Sequence, residues 1–262
     1  MKQKLILNIS IIVVMAWITA CNQASRTDQS TMLENDTAPA AAEQPIENQK
    51  IHLSAQTDDD DGTVTLSLTD EDALPAADQE ISVLFSKGTT AYANEDFATG
   101  VTYFEQIVRE NPQNRKAYYN LGVGYAKLQK FSEALNAYTK AIEIIPNDAL
   151  SLQSRGRVYF IMGKYEKAFE DYDRVLKMKD SDAVSWYNRG TAYGAMKLYS
   201  KAKEDFDKAI ELDPDYSLAY YNRGLAHFHL GMRHDACVDW RKALSLGHYE
   251  ADKALGAYCE DN

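Results

Sequence analysis

The chain has 262 residues, room for one or two domains, and 45% of them are hydrophobic, an ordinary globular share. Its net charge of −11 excludes the basic excess expected of a nucleic-acid binder. The acidity is local: residues 21–78 hold thirteen carboxylates against Arg26 and Lys50, while residues 79–262 carry twenty-four basic and twenty-six acidic side chains.

Residues 1–20 open with Lys2 and Lys4 and continue as an apolar run from Leu5 to Ile18, broken by Asn8 and Ser10. This is the pattern of a signal peptide. An uncleaved anchor is the weaker reading, because a membrane span needs about twenty apolar residues. The run ends in Ile18-Thr19-Ala20-Cys21, which resembles a bacterial lipobox. That resemblance implies cleavage before Cys21, a diacylglycerol thioether on its sulfur, and acylation of the new amino terminus. Several acyl chains on one residue give stable membrane anchoring. Asn22, where an aspartate would retain such a lipoprotein at the inner membrane, favours the outer membrane of a two-membrane host.

Residues 21–78 are polar and acidic, and most of the segment is expected to be disordered, since it buries too little apolar surface to offset chain entropy. As a flexible coil it would span roughly 40–45 Å. Asp58-Asp59-Asp60-Asp61-Gly62 is not a calcium loop, because Thr57 and Leu68 stand where the first and last ligands are needed. Thr63 to Leu68 alternates like a strand, with Ile51-His52-Leu53 as its expected partner.

From Ile81 the chain beats at an interval of thirty-four residues without insertion or deletion. Gly88, Gly122, Gly156, Gly190 and Gly224 mark the beat. Sixteen residues after each stands a ring: Phe104, Tyr138, Tyr172, Phe206 and Trp240. Twelve after each stands Gly100, Ala134, Ala168, Ala202 or Ala236, and Pro112, Pro146 and Pro214 close three of the five units. Positions 4, 8 and 11 of a unit share one helix face, and positions 20, 24 and 27 share a face of the next helix. Small residues let two helices approach closely, and proline ends the second one. The spacing resembles the tetratricopeptide repeat, a helix–turn–helix unit. The resemblance covers units 81–114, 115–148, 149–182, 183–216 and 217–250. It implies an all-α, right-handed solenoid in domain 79–262, with residues 251–262 as a capping helix.

The same resemblance implies a binding groove on the first helices. Its candidate residues are Tyr119, Asn120, Arg157, Phe160, Tyr187, Asn188, Tyr221, Asn222, Phe228 and His229, with Phe85, Thr89, Tyr92, Val123, Lys127, Gln153, Ile161, Thr191 and Leu225 on the same face. Tyrosine offers large contact area with a polar tip, and asparagine pairs with any peptide backbone. Packing between adjacent helices is the competing reading. Phe85, Thr89, Leu150 and Ser154 stand where some family members grip a carboxy-terminal carboxylate, so that kind of recognition is not expected.

Cys237 and Cys259 are a candidate disulfide clamping the cap, with two buried thiols as the alternative. His227, His229, His234 and Cys237 do not converge by spacing, so no metal or cofactor is expected. No Walker loop, Gly-x-Ser-x-Gly elbow or zincin motif occurs, and no catalytic residue is expected. The expectation is a lipid-anchored interaction scaffold of a bacterial envelope that binds a peptide or partner helix. The alternatives are a pilotin-like or envelope-assembly lipoprotein, a structural or oligomerisation spacer, and an enzyme of another type.

Overall fold

The computed structural model describes residues 54–57, 64–67 and 76–259. The expected signal peptide, Cys21 and most of the acidic segment lie outside them. Within that segment, β1 (Ser54–Thr57) and β2 (Val64–Ser67) pair antiparallel, with Ser54 opposite Ser67 and Thr57 opposite Val64. The alternating stretch is thus a strand, but its partner lies just beyond Ile51-His52-Leu53. Alternation marks a strand; the length of the turn selects what it pairs with.

Among the described residues eleven helices follow: α1 (Ala76–Ala93), α2 (Phe97–Glu110), α3 (Arg115–Lys127), α4 (Phe131–Ile144), α5 (Ala149–Ile161), α6 (Tyr165–Met178), α7 (Ala183–Ala195), α8 (Tyr199–Leu212), α9 (Ser217–His229), α10 (Arg233–Ser245) and α11 (Glu250–Tyr258). The first ten form five antiparallel pairs, each stacked on the next, and α11 packs on α10. The fold is an all-α solenoid.

The local signals explain the breaks. Asp96, Asn114 and Asp182 cap helices, their side chains accepting from the backbone N–H three residues on. This satisfies an otherwise orphaned donor. At the tight turn inside each pair, Glu95, Gln129, Gly163, Lys197 and Gly231 adopt positive φ, between 58° and 79°. These five also recur every thirty-four residues. Glycine occupies only two of them, so the turn geometry prevails over the left-handed strain at the other three.

The glycine beat is a packing device. A Cβ built on Gly88, Gly122, Gly156, Gly190 or Gly224 would lie 2.8, 2.4, 2.8, 2.9 or 2.5 Å from Phe104, Tyr138, Tyr172, Phe206 or Trp240, respectively. The five contacts are equivalent, and each lies within one pair. Phe104, Tyr138, Phe206 and Trp240 are fully buried there, and Tyr172 nearly so. Gly122→Ala is expected to destabilise the chain by about 1–2 kcal/mol. Overpacking against Tyr138 costs about 1–3 kcal/mol and outweighs the gain of up to about 1 kcal/mol in helix propensity. Urea denaturation checks this, and an unchanged midpoint would mean the ring moves aside without cost.

The first pair departs from the pattern and compensates. Ala91 leaves room where a ring is usual, and the neighbouring Tyr92 fills it. Its ring crosses Gly100, where a Cβ would lie 2.2 Å away. It packs on Phe97 and Phe104 at 5.5 and 5.3 Å, and its hydroxyl donates to the Asn120 carbonyl at 2.8 Å. Tyr92 is therefore core rather than groove.

Candidate functional site

Four of the ten principal groove candidates are interior. Tyr187 is 2% exposed, Tyr221 5%, Tyr119 7% and Asn222 fully buried. The ring of Tyr187 lies 5.9 Å from Phe206 in its own pair and 4.9 Å from Tyr216 at the start of the next. Its hydroxyl accepts a hydrogen bond from Asn222 Nδ2 at 2.9 Å. Tyr221 packs on His248 at 4.5 Å, and burial pushes its hydroxyl up to about 12. Tyr119 packs on Tyr138 at 6.0 Å. Thr191 and Leu225 are buried too. Tyr187 thereby joins one unit to the next, reaching Tyr216 and Asn222 of the following pair from position 5 of its own first helix. A buried tyrosine also finds a polar partner for its hydroxyl, as Tyr187 does.

Other candidates stay at the surface. Asn120 and Asn188 are half-buried, and Asn120 Nδ2 donates to the Lys116 carbonyl of its own helix at 2.9 Å. Phe160 is half-buried against Tyr165 at 5.2 Å. Phe228 leans on Tyr258 of the last helix at 4.5 Å. His229 stacks flat on Tyr199, at 4.3 Å and 8° between planes, and burial holds it below the usual imidazole value. In the third pair Ile161 and Leu150 are 46% and 39% exposed, with Phe160 and Arg157 on the same helix. Burial, with the nearby charge of Arg157, holds Lys127 below the ordinary lysine value. Glu95 opposes that shift and Lys127 lies over the Phe97 ring at 5.2 Å, so a partner carboxylate would add to interactions Lys127 already has.

The histidines do not converge. His227 Nδ1 lies 3.0 Å from Asp239 Oδ2 inside the fifth pair, whereas His229 faces Tyr199. Among the described residues no three metal-binding side chains gather. Cys237, on α10, and Cys259, just past α11, are bonded, with Cα atoms 5.8 Å apart.

Sequence reasoning missed a polar ladder. Arg155, Arg189 and Arg223 recur every thirty-four residues, and each forks onto an aspartate sixteen residues on. Nε and Nη2 reach Asp171 at 2.9 and 2.7 Å, Asp205 at 2.9 and 2.9 Å, and Asp239 at 2.9 and 2.6 Å. The remaining nitrogen of each reaches the preceding pair, at Thr139 (3.1 Å), Asp173 (2.9 Å) and Asp207 (2.7 Å). Each guanidinium also lies near rings: Arg155 by Tyr159, Arg189 by Trp186 and Tyr193, Arg223 by Tyr220. The two periodicities were present in the sequence and could have revealed the ladder. An arginine so held closes its own pair and clips it to the one before.

Models of the tetratricopeptide repeat match residues 116–148 and 183–216, and also 137–170 and 206–238. A TPR repeat model matches 156–197. The chain carries tetratricopeptide repeats. The peroxisomal targeting signal receptor of Kluyveromyces lactis is 29% identical over 130 residues, 50% of this chain and 21% of its own length. Hsp70-Hsp90 organizing protein 3 of Arabidopsis thaliana is 37% identical over 51 residues, 20% of this chain and 9% of its own length. The chain spans a minor part of either relative. Among solved structures, MamA from Desulfovibrio magneticus RS-1 superposes with a TM-score of 0.62 at 19% identity, covering 66% of this chain and 97% of that one. YrrB, described as a TPR protein with an unusual peptide-binding site, gives 0.59 at 18% identity, covering 70% and 100%. At these identities the likeness shows the fold.

Proposed function

We propose that the protein is a lipid-anchored interaction scaffold of a bacterial envelope, tethered through Cys21 and held at the outer membrane. Its repeats take an extended peptide or partner helix on the first-helix face. The anchor would confine the solenoid to a surface and raise the local concentration of whatever it binds. One observation carries the binding part of this reading: the exposed apolar pair Leu150 and Ile161, on the same helix as Arg157 and Phe160. Exposed apolar side chains beside a cation form the kind of surface that anchors a partner segment. The centre of the groove therefore moves to the third pair, away from the tyrosines of the fourth and fifth. The partner segment is apolar and carries a carboxylate facing Lys127 and Arg157.

The experiment places a photo-crosslinking residue at position 161 of the full chain in its own membranes, with position 187 as the buried control. The expected result is one defined adduct at 161, none at 187, and at least tenfold less adduct in the Arg157→Glu variant. Adducts insensitive to Arg157→Glu would remove the groove and leave a spacer. Separately, Cys21→Ser is expected to move the protein from the membrane to the soluble fraction. If it stays on the membrane, the anchor is not at Cys21.

A further inference from the structure

The arginine ladder stops short of the second pair, and the place it would fill is open. Leu121 stands where Arg155, Arg189 and Arg223 stand, and Ala137 stands where Asp171, Asp205 and Asp239 stand. Between α2, α3 and α4 lies a cleft of about 460 Å³ with Leu121 and Ala137 in its lining. In the later pairs the equivalent space holds a guanidinium.

What remains around the cleft is the rest of an arginine site. Glu105 occupies the position of Asp173 and Asp207, the residues that accept from the arginine of the following pair. It now accepts from the Tyr125 hydroxyl at 2.6 Å. Tyr118 and Tyr125 hold the positions of Trp186 and Tyr193, whose rings lie 4.7 and 5.9 Å from the Arg189 guanidinium. Glu133 lines the rim; burial and the bond to Glu105, with a smaller contribution from the charge of Glu133, push the Tyr125 hydroxyl up to about 12. Two cations also line the cleft: Arg109 is exposed, and Lys140 is held by Glu143 at 2.7 Å.

We infer that this cleft is a docking site for an arginine side chain on a protein partner, supplying in trans the group that the third, fourth and fifth pairs supply themselves. The apolar floor suits the methylene stem of an arginine. The two rings suit the flat guanidinium face, and two carboxylates suit its edge. A lysine would lose the planar stacking, and an apolar side chain would leave Glu105 with the Tyr125 hydroxyl alone and Glu133 with water alone. The site shares α3 with the groove, which uses Lys127 at that helix's end, but none of its lining residues is a groove residue.

The test follows fluorine-labelled tyrosines in the full chain during titration with Nα-acetyl-arginine amide and with its neutral citrulline counterpart. Saturable shifts of Tyr118 and Tyr125 are expected with the arginine compound, with at least tenfold weaker binding of the citrulline compound. Glu105→Gln should weaken the arginine response at least fivefold. The double variant Leu121→Arg with Ala137→Asp should fill the cleft from within and abolish the response, while melting no earlier than the parent. Equal binding of citrulline, silence at both tyrosines, or indifference to Glu105→Gln would overturn the proposal. So would a ligand-free shift at these rings on Arg26→Gln, which would make the chain's own leading segment the occupant.

Discussion

Arg189→Met is expected to destabilise the chain by about 3–5 kcal/mol at pH 7, the usual cost of stranding a buried charge. Arg189 makes two bonds of 2.9 Å to Asp205 and one of 2.9 Å to Asp173. Asp173 keeps Lys177 at 2.7 Å, but Asp205 is buried and has no second cation among the described salt bridges. Burial already pushes the Asp205 carboxyl above its ordinary value, with the fork to Arg189 offsetting this only in part. Without the fork its folded pKa rises further above the unfolded value. A group raised in this way penalises folding when ionised, and the penalty fades as pH falls through the folded pKa. The deficit of the variant in urea denaturation should therefore shrink between pH 7 and pH 5. Arg189→Met combined with Asp205→Leu should recover most of it, because removing both charges removes the stranded one. A deficit equal at both pH values would show that the stacking on Trp186, not the charge, had been lost.

Reduction of the Cys237–Cys259 bond is expected to cost about 3 kcal/mol, the loop-closure value for cysteines 22 residues apart. The effect should be local, because stacked repeats unfold unit by unit from a weakened end. The last helix covers the fifth pair: Tyr258 lies 4.5 Å from Phe228 and 5.9 Å from Trp240, and Arg233 Nε donates to the Tyr258 carbonyl at 2.5 Å. Trp240 is fully buried and donates to the Tyr221 carbonyl at 3.2 Å. In dithiothreitol, or in Cys237→Ser with Cys259→Ser, tryptophan fluorescence should redden at lower urea than in the oxidised chain, while the bulk of the helical signal unfolds later. Coincident transitions in both redox states would show that packing alone holds the cap.

The sequence by itself determined the beat of the chain: five small residues, five rings sixteen residues on, and a turn between. Those contacts lie inside one helix pair, and two helices joined by a short turn can meet in only a few ways. Gly190 beneath Phe206 was thus readable from spacing alone. The fate of the tyrosines was not. Tyr119, Tyr187 and Tyr221 share the helix face that could have met a partner, yet Tyr187 reaches Tyr216 and Asn222 of the following pair. The side a ring presents depends on the angle between successive pairs, which no single unit encodes. The arginine ladder lies between these cases. Its spacing was visible, but its meaning needed the three-way meeting of Arg223 with Asp239 and Asp207. Local geometry fixed each unit, and tertiary stacking decided which side chains were left for a partner, because burial between units is a property of their arrangement.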